Sequence, residues 1–245
     1  MNFRCIALAL GFVGAGTALN AHADLIFNVA AVSDYRARGL SQSRFHPAAQ
    51  AGVDYTNGGL YLGAFASTIK WIEDFPGGGA DYELDVYGGY AGELGGGFGY
   101  DLGFLRYIFP DNGLEPDANT TEIYAGLTYG VGKLKLSRTV SKNFLAIPDS
   151  GKSYYVDLSA SLDLGDGYTL VPHAGYQFIS GPYSGDASYA DASLTLSKDF
   201  NGLVPSVSLF ATNAERSFYM PGGGAKGDSR NLGRAAVVVG LKYNF

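Results

Sequence analysis

The chain has 245 residues, is 47% hydrophobic and 14% aromatic, and has a formal net charge of −6 at pH 7. An acidic chain of this kind is a poor candidate for nucleic-acid binding. Its 36 glycines and 18 tyrosines occur without the helical periodicity of a soluble enzyme, and they favour an all-β protein.

The N-terminal residues have the layout of a secretory signal peptide. Arg4 precedes an apolar run from Ile6 to Leu19, and Ala-His-Ala at 21–23 follows as an Ala-x-Ala cleavage site. The run is shorter than the roughly 20 residues that a membrane-spanning helix needs. We therefore expect residues 1–23 to be cleaved and residues 24–245 to form one domain. The single cysteine lies in the leader, so the mature domain has no disulfide and no thiol chemistry.

Turn signals divide the mature chain into twelve segments of about ten residues. Short Gly-rich turns, such as NGG at 57–59, alternate with long polar loops, such as RARGLSQSRFH at 36–46. This alternation is typical of a barrel in an outer membrane, with short periplasmic turns and long extracellular loops. The predicted strands are 25–35, 47–56, 60–70, 82–92, 98–109, 120–129, 133–143, 153–164, 167–178, 188–198, 204–213 and 234–245.

Within the segments, apolar and polar side chains alternate with the period of a strand. Val156 and Leu158 lie on one face, and Asp157 and Ser159 lie on the other. Backbone groups in lipid must all be paired, so strands with one lipid-facing side have to close into a barrel. We predict a transmembrane, antiparallel, up-and-down β-barrel of about twelve strands.

Aromatic residues near the predicted strand ends suggest two girdles, as membrane barrels have. The turn-side group is Tyr55, Tyr61, Tyr100, Tyr129, Tyr168 and Phe200, and the loop-side group is Trp71, Phe109, Phe144 and Phe178.

The last strand has the pattern that barrel-assembly machinery reads in outer-membrane proteins. Its apolar side chains share one face and finish on a C-terminal aromatic residue, although any edge strand ending at Phe would look similar. The signal residues are Val237, Val239, Leu241, Tyr243 and Phe245.

With these elements placed, the sequence resembles the TorF-type family of porin-like outer-membrane proteins. The resemblance rests on FNVAAVSDYRARGLSQS, PAAQAGVDY, GLYLGAFAS, YELDVYGGYAGE, GYDLGFLRYIFP and TEIYAGLTYG, and it covers most of the mature chain. It implies the outer membrane of a Gram-negative bacterium and a pore. It supplies no catalytic residue and no substrate.

The predicted strand phase places more carboxylates than amines on the inner wall. The surplus favours cations in the lumen, although wall residues could be polar simply because water touches them. The inward acids are Asp54, Glu83, Asp85, Asp101, Glu122, Asp157, Asp163 and Asp191, and the inward bases are Lys133, Lys135 and Lys242.

Three arginines, Arg36, Arg38 and Arg44, lie close together in the first long loop. A closed barrel places this loop beside the basic sixth loop, while the second and third loops are acidic. The charge field across the mouth would orient a dipolar solute if the arginines line the pore. Two alternatives are binding of lipopolysaccharide phosphates from outside and structural pairing with Asp34 and its neighbours.

The predicted function is a channel for passive diffusion of small hydrophilic solutes or ions. The alternative from another class is a non-conducting barrel whose lumen is filled by loops. A barrel enzyme is the third hypothesis, since Ser159 or Ser161 could lie near His173. We expect no enzymatic activity, no cofactor and no metal, and the expected partners are lipopolysaccharide and the assembly machinery.

Overall fold

A computed structural model describes residues 23–220 and 230–245. Almost all of the predicted signal peptide lies outside the described residues, as do Lys226 and Asp228 of the sixth loop. The strands are β1 Asp24–Val32, β2 Arg36–Ala37, β3 Leu40–Ser41, β4 Ala48–Asn57, β5 Leu60–Thr68, β6 Tyr82–Gly95, β7 Phe98–Ile108, β8 Thr120–Tyr129, β9 Gly132–Thr139, β10 Tyr154–Ala160, β11 Leu162–Gly165, β12 Tyr168–Phe178, β13 Tyr189–Lys198, β14 Leu203–Thr212 and β15 Ala236–Asn244. A 3₁₀ turn at Ile72–Asp74 and a short helix, α1 Ser184–Ala187, lie in loops.

The strands of the main sheet fill twelve antiparallel positions, which we call staves, and these close into a barrel, which confirms the predicted fold class. Strand β1 pairs with both β4 and β15, and the closing register runs from Asn28 opposite Asn244 to Val32 opposite Gly240. Strands β10 and β11 both pair with β12 and form one broken stave. Some boundaries differ from the prediction, since β9 ends at Thr139 rather than at 143. Within the described part of the chain, we find no helix with the length and apolar character to cross a membrane.

The outer wall of the barrel is predominantly apolar all the way round. Large aliphatic and aromatic side chains from neighbouring staves stand exposed on it, and their partners one residue along the strand point inward. A continuous exposed apolar surface of this extent is characteristic of a membrane interface. Examples around the wall are Phe27, Leu62, Phe104, Leu127, Leu158, Leu194, Leu209 and Val239.

The predicted loop-side aromatic girdle is wrong for three of its four members. Trp71, Phe109 and Phe144 are 7%, 1% and 6% exposed, because they follow the strand ends and are covered by loops that fold over the mouth. Only Phe178 faces outward, where it stacks on Tyr154 at 4.9 Å between ring centroids. On the turn side, Tyr61 points into the lumen and donates a hydrogen bond to Asp101.

In the lumen, tyrosines and glycines occur as pairs on neighbouring strands. Several inward tyrosines lie flat over a glycine directly opposite on the neighbouring strand, as Tyr124 on β8 lies over Gly103 on β7. A Cβ at Gly103 would come within 2.5 Å of both the Tyr124 hydroxyl and the Gly88 carbonyl oxygen. The same arrangement joins Tyr61 to Gly89 and Tyr87 to Gly63.

Replacing Gly103 with alanine should therefore lower the free energy of unfolding by about 1–3 kcal/mol, since the added methyl group overpacks this contact. Urea-driven unfolding of the detergent-folded barrel measures the change. Gly185 is the matched control, because a Cβ there meets no atom within 4 Å. If Gly103→Ala unfolds at the same urea concentration as Gly185→Ala, the glycine is not required by the tyrosine.

Candidate functional site: a hairpin in the barrel mouth

The first long loop folds into the mouth of the barrel as a small hairpin. Strands β2 and β3 pair, and the two residues between them, Arg38 and Gly39, have φ values of 47° and 77°. Two positive φ angles in a two-residue connection are typical of a type I′ turn. The turn places Arg38 at the tip of this segment, Arg36–Ser41, which we call the first-loop hairpin.

Arg36 holds the base of the first-loop hairpin. Its Nε donates to Asp34 Oδ2 at 2.8 Å, and its Nη1 donates to the carbonyl oxygens of Gly39 and Arg234 at 2.9 and 2.8 Å. The side chain is 1% exposed. Burial lowers the pKa of the Arg36 guanidinium from its ordinary value, and the Asp34 carboxylate opposes this effect. The contact with Arg234 joins the first loop to the sixth, as barrel closure predicts.

Arg38 reaches across the lumen from the tip. Its Nη2 donates to Glu122 Oε2 on β8 at 2.5 Å, and its Nη1 donates to Gln177 Oε1 on β12 at 2.6 Å. Its guanidinium carbon also lies 4.4 Å from the centre of the Tyr155 ring. Burial acts to lower the pKa of Arg38, but the Glu122 carboxylate opposes burial, and the pKa of Arg38 lies above its ordinary value. Arg38 is therefore a cation held between β8 and β12, which lie three staves apart in the barrel of twelve.

Arg44 joins the first loop to the second. Its Nη1 lies 2.6 Å from Asp74 Oδ1, and the two side chains are 13% and 1% exposed. All three arginines of the first loop thus have a carboxylate partner at the mouth. Arg36 and Arg44 are engaged in structural pairing, and Arg38 is the one whose guanidinium enters the lumen between β8 and β12.

On the side away from β8, the tip packs closely against β13 and β14. A Cβ at Gly39 would lie 2.5 Å from Thr212 Cγ2 on β14 and 2.8 Å from Asp191 Cβ on β13. Since Arg38 contacts β7, β8, β10 and β12, the tip touches six of the twelve staves, all on the side of the barrel that runs from β7 round to β14. The first-loop hairpin, which follows β1, consequently crosses the lumen and narrows it at this level.

The carboxylates predicted for the inner wall all lie on inward-facing positions. Those nearest the hairpin are shielded from water. Glu83, Asp85 and Glu122 are 2%, 1% and 0% exposed, and the Tyr35 hydroxyl donates to Glu83 at 3.3 Å. Arg38 is the cation that reaches this group. The group therefore keeps an excess of acidic side chains, which Arg38 only partly offsets.

Nearer the short turns the wall carries both signs of charge. Asp101 lies 3.6 Å from the Lys133 ammonium, and Asp157 keeps 23% of its side chain exposed. The Lys135 ammonium lies 3.9 Å from the centre of the Tyr124 ring. Lys242 is largely buried on the inward face of β15.

The polar contacts of His173 are mainly with carboxylates, although Ser159 and Ser193 lie directly opposite it on the neighbouring strands. Its Nε2 lies 3.0 Å from Asp157 Oδ2, and its Nδ1 lies 3.6 Å from Asp191 Oδ1. The Tyr155 hydroxyl is within hydrogen-bond distance of both His173 Nε2 and Asp191 Oδ2, at 3.1 and 3.0 Å. The Ser159 hydroxyl donates to Asp157 Oδ1 instead. Among the described residues, His173 forms no hydrogen bond with Ser159 or Ser161, the serines of the enzyme hypothesis.

Sequence reasoning missed three residues that hold the hairpin tip: Tyr107, Tyr155 and Gln177. Gln177 shares the inward phase of His173 on β12, so the alternation could have identified it. The inward direction of Tyr107 was not predicted, because its neighbour Arg106 is a charged residue at an apolar position and interrupts the alternation in β7. Arg106 is in fact exposed on the outer wall, where it donates to Thr121 Oγ1 at 2.8 Å.

Comparisons with known proteins agree with this architecture. The family model described as a bacterial protein of unknown function (Gcw_chp) matches residues 17–245. No curated protein matches the sequence. The KdgM porin superimposes with a TM-score of 0.57 and 11% identity over 91% of this chain and 99% of that chain.

Two further solved structures give similar values. The KdgM porin in complex with disordered oligogalacturonate has a TM-score of 0.58 and 12% identity over 91% of this chain and 99% of that chain. The NanC porin has a TM-score of 0.56 and 10% identity over 89% and 98%. At such identities these structures show that the fold is shared.

Proposed function

The chain belongs to the Gcw_chp family, and we propose that it is an outer-membrane channel for small hydrophilic solutes or ions, narrowed by its first-loop hairpin. The observation that carries the proposal is a closed barrel with an apolar outer wall and a polar, charged inner wall. An apolar outer wall can face lipid while a polar inner wall lines a water-containing lumen. The TorF-type resemblance stays a prediction and agrees with this function.

The first-loop hairpin, rather than the barrel wall, sets the narrowest point of the proposed channel. Glu122 beside the tip is 0% exposed, whereas Asp157 and His173 deeper in the lumen keep 23% and 16% of their side chains exposed. Water therefore reaches Asp157 and His173 in the middle of the barrel and the 14% exposed side chain of Arg38, while Glu122 is covered by the hairpin tip. Conduction requires the hairpin to shift or solutes to pass beside it.

The inner wall indicates the charge of the solute. One KdgM porin structure is a complex with disordered oligogalacturonate, whose sugar units carry carboxylates. The inner wall of this chain carries more carboxylates than amines, and Arg38 is neutralised by Glu122. We therefore propose a preference for cations or neutral solutes over acidic saccharides.

A non-conducting barrel is the second candidate function, and the seating of the hairpin favours it. The tip binds β8 and β12 at once, and three carboxylates on its β6 and β8 side are shielded from water. In this alternative, the loops that fill the mouth would make the protein a structural or surface component. For both candidates we propose export by the signal peptide, residence in a Gram-negative outer membrane and no enzymatic activity.

Single-channel recording in planar bilayers tests the proposal. We expect purified full-length mature protein to give discrete conductance steps with a modest preference for cations that fades as salt rises, since charges are screened beyond about 8 Å at 0.15 M salt. Insertion is checked by heat-modifiable migration of the same sample on a gel. A silent membrane with verified insertion would reject the channel and favour the non-conducting barrel.

A further inference from the structure

The lipid-facing wall of the barrel carries three charged side chains in its described strands, and all three are basic. They are Arg106 on β7, Arg138 on β9 and Lys198 on β13. Their outward direction follows from the register, which places Arg106 opposite Thr121 and Arg138 opposite Ile123. A polar rim without a specific ligand would be expected to carry both signs of charge.

Lys198 stands apart from the other two. It lies at the short-turn end of its strand, with its ammonium 4.2 Å from the centre of the Tyr168 ring and 4.9 Å from that of Phe200. An amphipathic lysine that packs on aromatic rings at a membrane boundary needs no further partner.

Arg106 and Arg138 lie together toward the long-loop end. Strand β8 lies between β7 and β9. Arg106 is opposite Thr121 of β8 and Arg138 is opposite Ile123 of β8, so the two arginines are offset by two residues along the strand direction. Standard strand spacings put their Cα atoms about 12 Å apart, so two extended arginine side chains can reach one group between them. Arg138 is also level with Tyr154, which stacks on Phe178 in the outward aromatic band.

Neither arginine forms an ion pair with another described residue. Arg106 donates to the Thr121 hydroxyl, and the outward neighbours Val86 and Ile123 are apolar. A charge on the lipid face of a barrel is unfavourable to a degree that depends on depth, so an anion that neutralises it is stabilising. The guanidinium fork matches the geometry of phosphate, which it can bind with two parallel hydrogen bonds.

We infer that Arg106 and Arg138 together bind a phosphate group of a phosphorylated glycolipid in the outer leaflet. The inference rests on the outer-membrane location proposed above, but not on conduction. Exposed Lys142 and Lys152 of the fourth loop lie beyond the ends of β9 and β10 and add positive charge. The third loop, beyond the end of β7, carries exposed acids instead, which confine the phosphate to the side wall. These acids are Asp111, Glu115 and Asp117.

The test measures binding of two forms of lipid A, bis-phosphorylated and dephosphorylated, to the folded full-length barrel by native mass spectrometry. We expect the double variant Arg106→Ser and Arg138→Ser to bind the phosphorylated form about tenfold more weakly, because charge-assisted hydrogen bonds are lost. Binding of the dephosphorylated form should not change. The double lysine variant, which keeps the charge but loses the fork, should fall between the two.

Lys198→Ser is the matched control, since it removes a lipid-facing charge at the opposite end of the barrel and should bind lipid A as the parent does. Millimolar inorganic phosphate should not displace the lipid. Displacement would mean that the pair binds a free anion, and it would overturn the lipid assignment. Equal binding of phosphorylated lipid A by the parent and the folded double serine variant would overturn the site. Since no current is measured, a failure here leaves the channel proposal standing, and a silent bilayer leaves this site standing.

Discussion

Replacing Arg38 with serine is expected to raise the single-channel conductance severalfold and to shift selectivity further toward cations. The substitution removes the guanidinium that ties the tip of the first-loop hairpin to Glu122 and Gln177. Removing one partner of a buried ion pair typically costs about 3–5 kcal/mol, because the other charge stays behind without compensation. Glu122 is 0% exposed, so the loss favours conformations in which the hairpin leaves the lumen and water reaches the carboxylate.

The selectivity change has a separate electrostatic cause. Glu122 pairs with Arg38 at the tip, and Glu83 and Asp85 lie on the same side of the lumen on β6, so Arg38 is the cation that offsets these carboxylates. Without it the local potential becomes more negative and the cation concentration rises. The reversal potential under a salt gradient measures the shift, which should shrink as the bulk salt concentration is raised.

Two further variants separate the steric effect from the electrostatic one. The double variant Arg38→Ser with Glu122→Gln removes one charge of each sign, so it should keep the raised conductance while its selectivity returns toward that of the parent. Arg216→Ser removes an arginine from the exposed sixth loop and should change neither quantity. Parent-like conductance and reversal potential in a folded Arg38→Ser variant would show that the hairpin does not narrow the channel.

Deleting Phe245 is expected to reduce the folded yield in cells sharply, with unfolded chain left in the periplasm. Strand β15 closes the barrel by pairing with both β14 and β1, and the Phe245 amide donates to the Phe27 carbonyl oxygen at 2.9 Å. The ring is 70% exposed and contacts Tyr243 edge-on at 4.9 Å. An exposed ring contributes little to packing, so its proposed role is recognition during assembly. The amount of heat-modifiable protein in the outer-membrane fraction measures the yield.

Folding in vitro provides the contrast. Because only an exposed ring and one hydrogen bond are lost, the deletion variant should still fold in detergent at close to the parent's yield. Phe245→Trp keeps a terminal aromatic side chain and should assemble in cells as the parent does. Normal levels of membrane-inserted deletion variant would contradict the assembly signal formed with Val237, Val239 and Leu241.

The sequence by itself determined the barrel wall. Side chains in a strand alternate between faces with a period of two, so the inward placement of residues such as Asp157 and Lys242 follows from local order alone. The alternation of short turns and long loops is equally local, and it predicted twelve staves whose closure the strand pairing confirms. The alternation was a poor guide where a side chain takes the unexpected face, as Tyr61 does in the lumen and Arg106 does toward the lipid.

The tertiary structure decided what the loops do. The partners of Arg38, Glu122 and Gln177, are 84 and 139 residues away along the chain, and no pattern near Arg38 encodes them. The loop-side aromatics show the same limit, because Trp71 is buried by loops whose path no strand periodicity describes. Strand pattern is a property of neighbouring residues, whereas a loop conformation is chosen by contacts that exist only after the barrel has closed.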